Sequence, residues 1–173
     1  MKYPDEALFN YVVEGLEKRG VTKVEVGKLA YRMQHRFFPE LTVEDFGEQL
    51  PKILKKREVL NILATGFALD DLASAKKLPE PLQTIIENDL GNYGVDENLA
   101  ISIAQLFGSI SVTNYGYGDI NKAGVVKKLD TDSETSKVNT FADDLIGSLA
   151  SADMSRLAHG KPLDLSGWEH KIK

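Results

Sequence analysis

The sequence predicts an all-α fold, a single-domain bundle of about seven or eight helices spanning residues 1–173. Two observations predict it. Apolar residues recur at i, i+3, i+4 and i+7 in successive segments that are closed by Gly or Pro, and no stretch keeps the strict apolar–polar alternation of a half-buried strand.

Each element follows from local signals. Phe9, Val12, Val13 and Leu16 form one stripe of a helix over 4–19, closed by Gly20. Thr22 with Glu25 is a capping-box pattern, and Val26, Leu29, Ala30, Met33 and Phe37 repeat on one face until Pro39. Thr42 and Asp45 open a third helix carrying Phe46, Leu50, Ile53 and Leu54, which Pro51 should kink or split because proline removes an internal hydrogen bond. A fourth helix is expected over 57–76 and a short fifth over 82–90, set off by Pro79 and Pro81 and ended by Gly91 and Gly94.

From Asp96 the residues turn small and apolar, so a largely buried helix is expected near 96–113. The stretch TNYGYGD reads as a loop, 120–129 as a short helix and TDSETSK as a surface linker. The last helix is expected over 138–159, followed by a tail over 160–173 in which Trp168 docks. Gly147, Ala150, Ser151 and Ala158 on that helix would admit another backbone closely, from this chain or from a second copy, and on that ground a homo-oligomer is expected.

Composition excludes several functions. With 42% hydrophobic and 27% charged residues, 14 Gly and 6 Pro, the chain is neither disordered nor collagen-like. Its net charge of -5 repels phosphate backbones and anionic surfaces unless a local patch or bound cation inverts the field, so no nucleic-acid partner is expected. The absence of Cys removes disulfides, thiolate zinc sites and cysteine nucleophiles, and fits a cytoplasmic protein. The start MKYPDEALF has acids where a signal peptide has bases, and the most apolar window, 59–69, is broken by Asn61 and Thr65 and falls short of the ~18 residues of a membrane span.

The chemistry signal is acidic. His35, His159 and His170 share no i, i+3 or i+4 spacing, and neither a Gly-x-Ser-x-Gly elbow nor a phosphate-binding glycine loop is present. Vicinal carboxylates stand instead at Asp70 and Asp71, Asp96 and Glu97, and Asp143 and Asp144. Asp96, Glu97, Asp119, Asp143 and Asp144 all lie at or near expected helix starts, where acids cap backbone N–H groups and oppose the dipole. Asp70 and Asp71 fall mid-helix, on what reads as a solvated face. The other reading is a metal. Adjacent helical side chains diverge by about 100°, so a vicinal pair can serve two partners, and oxygen-only ligation suits Mg²⁺, with Mn²⁺ as an alternative, alongside a substrate phosphate.

Three segments carry a family resemblance. YGVDENLAI (93–101) looks like an apolar-Asp-Glu motif, DINKAGVVKKLD (119–130) is similar to an Asp-x-x-Lys-Pro-Trp-Pro segment, and FADDLIG (141–147) looks like a paired-Asp motif. In that order they resemble phosphatidylglycerophosphatase A and its relatives without membrane spans, including the low-temperature-requirement C type, over about 93–159. Ala123, Gly124 and Val125 stand where that family has Pro-Trp-Pro.

The resemblance implies an all-helical, Mg²⁺-dependent phosphatase that converts phosphatidylglycerophosphate to phosphatidylglycerol, cytoplasmic or peripheral at a membrane. It implies Asp96, Glu97, Asp143 and Asp144 as metal ligands and Asp119, Lys122 and Asp144 as catalytic groups. Lys122 would face the phosphate, while Asp119 would orient Lys122 or assist the water. The competing expectation is a non-catalytic helical interaction or ligand-binding protein that keeps the fold.

Overall fold

The computed structural model describes residues 2–131 and 137–160. The expected tail with Trp168 and most of the TDSETSK linker lie outside the described residues. Among the described residues every regular element is helical: α1 (Asp5–Lys18), α2 (Lys23–Gln34), α3 (Val43–Gly47), α4 (Leu50–Ile53), α5 (Arg57–Ser74), α6 (Leu82–Glu87), α7 (Val95–Gln105), α8 (Ser109–Ile120), α9 (Gly124–Asp130) and α10 (Ala142–Gly160). A 3-10 turn, His35–Phe37, extends α2.

Local chemistry explains the boundaries. The Thr22 side chain accepts from the Glu25 N–H to start α2, and Thr42 and Asp45 form a reciprocal capping box at α3. The expected third helix is split into α3 and α4, with Pro51 in the first turn of α4, where its missing N–H is harmless.

Three expectations are corrected. The helix expected over 96–113 is two, because Gly108 adopts φ +88, a left-handed value that interrupts the helical path between α7 and α8. TNYGYGD is not a loop: it lies inside α8, where the buried ring of Tyr115 supplies packing that outweighs the low helix propensity of Gly116 and Gly118. The short helix expected from residue 120 therefore starts only at Gly124, since Ile120 ends α8.

Enclosure is greatest on α10. The helices α2, α3, α4, α5, α7, α8 and α9 all pack against it, and thirteen of its residues from Ala142 to Ser155 are buried. Leu145, Ile146 and Leu149 join Leu63, Phe67, Ile103 and Phe141 in one core, each contributing about 1.5–3 kcal/mol by burial. Buried serines need partners in such a place. Ser148 donates to the Ala100 carbonyl at 2.6 Å and Ser155 to the Phe107 carbonyl at 2.6 Å, tying α10 to α7 and its exit. Gly147, Ala150 and Ser151 face a cavity inside the chain, so their small size makes room there.

The start of α10 is pinned from a distance. Asp70 is fully buried rather than solvated, and its Oδ1 and Oδ2 accept the Phe141 and Ala142 N–H groups at 3.0 and 2.9 Å. It thus serves as a helix cap supplied by α5, satisfying donors that α10 leaves free at its N-terminus. Gly66, one turn earlier, permits the approach: a Cβ there would stand 2.4 Å from Leu145 Cδ1. Asp71 does face outward and pairs with Arg19 at 2.9 Å. No helix among the described residues is long and apolar enough to cross a membrane.

Candidate metal and phosphate site

Two helix starts meet at the site. Asp96 and Glu97 occupy the first turn of α7 and Asp144 the first turn of α10, and one carboxylate oxygen from each lies within 4.8 Å of the others. The helix-start and convergence readings of these acids are therefore both true, because the positive ends of α7 and α10 point toward a shared spot. Asp96 is 5% exposed and Asp144 6%, and Asp96 Oδ1 is buried without a hydrogen-bond partner.

Such a cluster is electrostatically unfavourable alone. Burial, and then the adjacent Glu97, push the Asp96 carboxyl up to about 7. Burial, and then Asp143, push Asp144 up to about 8. An orphaned acceptor and three oxygen donors within reach of one another are what a hard divalent cation would satisfy, so these residues fit one.

Asp143 belongs to a different arrangement. Its Oδ2 accepts from Lys122 Nζ at 2.6 Å, and Lys122 also donates to Asp130 at 2.8 Å and lies 3.9 Å from Asp119. The vicinal pair thus splits, Asp144 toward Asp96 and Glu97, Asp143 toward the lysine. Burial raises Asp143 to about 6 against the pull of Lys122. Burial alone would lower the Lys122 ammonium, but its bonds to Asp130 and Asp143 more than offset that and hold it raised. Lys122 is therefore a neutralised charge that braces Asp143.

Asp119 lies in the last turn of α8, not at a helix start as expected from sequence. The dipole disfavours an acid there, and its charged neighbour is Lys122. At the Pro-Trp-Pro position, Gly124 takes φ +53, and a Cβ on it would stand 3.3 Å from Leu29 Cδ2. A Trp there would need a left-handed backbone that L side chains rarely adopt and a small shift of the Leu29 side chain.

Asp144 connects this cluster to a cavity of about 440 Å³ between α2 and α8–α10, whose lining does not include Asp96 or Glu97. Asp119, Asp143 and Asp144 line it, as do Arg32 and Arg36 from the end of α2 and the turn after it. Tyr115 also lines it, with its hydroxyl buried and unpartnered. Burial, and then the Asp144 charge, raise that phenol, which stays protonated. The sequence reading missed Asp130, Tyr115 and the two arginines. The arginines had one legible signal, an i, i+4 spacing that would put both on one face of an unbroken helix, although α2 ends at Gln34 and Arg36 lies in the 3-10 turn.

Comparisons with known proteins agree over most of the chain. The B. subtilis (strain 168) protein YutG is 45% identical over 144 residues, covering 83% of this chain and 86% of its own length. A solved structure from Bacillus stearothermophilus, of a protein of unknown function, superposes with a TM-score of 0.85 at 47% identity, covering 89% of this chain and 99% of that one. The low temperature requirement C protein from Listeria monocytogenes superposes with a TM-score of 0.84 at 42% identity, covering 89% and 96%. The similarity is thus wider than the three motifs over 93–159, and it includes α2 with Arg32 and the turn with Arg36. Residues 17–159 match phosphatidylglycerophosphatase A, and the chain belongs to that family.

Proposed function

We propose that this chain is a metal-dependent phosphatase that removes the terminal phosphate of phosphatidylglycerophosphate, leaving phosphatidylglycerol. The observation that carries the reading is the convergence of Asp96, Glu97 and Asp144 within 4.8 Å beside a cavity wide enough for a headgroup. Family membership supports the choice of substrate.

In this reading Asp96, Glu97 and Asp144 hold Mg²⁺, or Mn²⁺ in its place. When bound, such an ion polarises phosphoryl oxygens and lowers the pKa of a water. The chain's own groups do the rest. Lys122 fixes Asp143 beside Asp144, so the first turn of α10 keeps one orientation. Asp119 lines the cavity and in this reading would accept a proton from the attacking water. The Tyr115 hydroxyl is buried and unpartnered behind the cavity wall, and it would donate to a phosphate oxygen only once uncovered.

A lipid headgroup reaches this cavity only if the chain docks at the bilayer surface, since no helix among the described residues can span it. Of the small residues of α10 expected to admit a second copy, Gly147, Ala150 and Ser151 line the cavity and Ala158 is half-buried nearer the end of the helix. Light scattering on the purified chain measures self-association.

The test is phosphate release from phosphatidylglycerophosphate in detergent micelles. Release with Mg²⁺, lost with chelator and reduced at least a hundredfold in Asp144→Asn, supports the reading. Absence of release with either Mg²⁺ or Mn²⁺, or full activity in Asp144→Asn, overturns it in favour of a binding module.

A further inference from the structure

The cavity carries cations that the phosphatase reading leaves unused. Lys122 is already engaged by Asp130 and Asp143, so it has little charge left for a substrate anion. Most basic side chains in contact with carboxylates are likewise matched: Arg19 with Asp71, Arg57 with Asp5, Lys23 with Glu48 and Lys28 with Glu25. Arg32 and Arg36 make no such pair, a trait they share with Arg156, Lys127 and Lys128 among the described residues, and it is their place at the cavity that sets them apart. Both line it, and both are exposed to water. The Arg36 guanidinium lies over the Phe37 ring, 4.6 Å from its centroid, which restrains it without neutralising it.

The two walls of the cavity are therefore of opposite sign. α8 and α10 supply Asp119, Asp143 and Asp144, while α2 and the turn after it supply Arg32 and Arg36. Guanidinium groups present fork-shaped donors that suit phosphate oxygens in pairs. Gln34 and Asn114, hydrogen-bonded to each other at 3.3 Å, lie between α2 and α8 and line the same cavity with uncharged polar groups. A site of this kind distinguishes a ligand with two separated anionic groups from one with a single phosphate.

We infer that Arg32 and Arg36 form a second anion subsite, which takes the phosphodiester of a substrate whose terminal phosphomonoester lies at the Asp96–Glu97–Asp144 end. The inference rests on the phosphatase reading for the monoester end and adds the residues that would recognise the second ionised phosphate of that substrate. It assigns α2, outside the three acidic motifs, the role of selecting the substrate.

The experiment compares two soluble substrates on the full chain with Mg²⁺: a short-chain phosphatidylglycerophosphate, and glycerol 3-phosphate, which lacks the second phosphate. In the Arg32→Gln, Arg36→Gln double variant, KM for the first should rise at least tenfold with kcat within about twofold, and the rise should be absent for glycerol 3-phosphate. The Arg→Lys pair should recover part of the loss. Equal loss on both substrates, or no change on either, overturns the subsite.

A second readout needs no turnover. Calorimetric binding of the short-chain compound to wild type should weaken at least tenfold in the double variant. If wild type releases no phosphate, the phosphatase reading fails, while this titration still decides the subsite. Loss of sedimentation with phosphatidylglycerol vesicles at unchanged affinity for the short-chain compound would overturn the subsite and reassign the arginines to the bilayer surface. A lowered melting temperature with unchanged affinity would reassign Arg32, in the last turn of α2, to helix-end stabilisation.

Discussion

Replacing Asp144 by Asn is expected to act with opposite sign in the absence and presence of a divalent cation. Without the ion, three carboxylate oxygens within 4.8 Å repel one another, and at an effective dielectric near 20 each charged pair costs about 3.5 kcal/mol. Proton linkage leads to a similar magnitude. Burial and neighbouring charge raise Asp144 to about 8, so the folded chain keeps a proton that the unfolded chain gives up above about pH 4. Below that pH both states are protonated and the group is neutral toward stability. The penalty then grows as pH rises toward 8, by at most about 1.4 kcal/mol per unit. Asn mimics the protonated carboxyl, so metal-free Asp144→Asn should be more stable than wild type by about 2–4 kcal/mol at pH 7.5, which is about 5–15 °C in Tm, and nearly equal to it at pH 4.5. With Mg²⁺ at a hundred times its Kd, wild type should gain about 2.7 kcal/mol and the variant little or nothing. Thermal melts by circular dichroism at both pH values, after chelation and after adding millimolar MgCl₂, measure all of these. A variant that melts below wild type without metal at pH 7.5, or that keeps the full magnesium shift, refutes a shared cation site.

Three further outcomes are expected. Asp70→Ala leaves the Phe141 and Ala142 N–H groups buried without acceptors, so stability should fall by about 2–3 kcal/mol in chemical denaturation, and amide exchange in the first turn of α10 should accelerate. Lys122→Met strands the buried Asp143 carboxylate and should cost about 2–4 kcal/mol, while adding Asp143→Asn should recover more than half; strict additivity in that cycle would deny the coupling. Asp153 is fully buried with both carboxylate oxygens unpartnered and, from burial first, is pushed up to about 8. It holds its proton in the folded state between about pH 4 and 8, so it contributes a loss of stability with rising pH, and Asp153→Asn should flatten the wild-type decline by up to about 1.4 kcal/mol per unit; an unchanged slope in urea titrations across pH 5 to 8 would contradict this.

The helices were legible because amphipathic period and caps are local. Thr22, Thr42 and Pro51 act within a few residues of themselves, and each marks a boundary that the structure keeps. The TNYGYGD segment was misread because two glycines and an asparagine favour a loop by propensity, whereas its helix is maintained by the tertiary environment of Tyr115. Asp70 was opaque for the same reason: an acid in mid-helix reads as solvated, and its partners lie about seventy residues away in sequence. At the site, vicinal geometry allowed Asp143 and Asp144 to serve different partners, but only the fold shows which of them turns to Lys122. Arg32 looks in sequence like an ordinary last-turn base, and nothing in the spacing reveals the cavity across from it.

The anchoring of α10 by Asp70 makes the two halves of the chain inseparable in function. The acids at positions 143 and 144 inherit their position from backbone groups at 141 and 142, and those are seated on a side chain of α5. A fragment beginning at α7 would retain all three acidic segments yet lose the support that sets their spacing. Transplanting those segments into another helical scaffold would likewise need a carboxylate brought in from outside to seat the last helix.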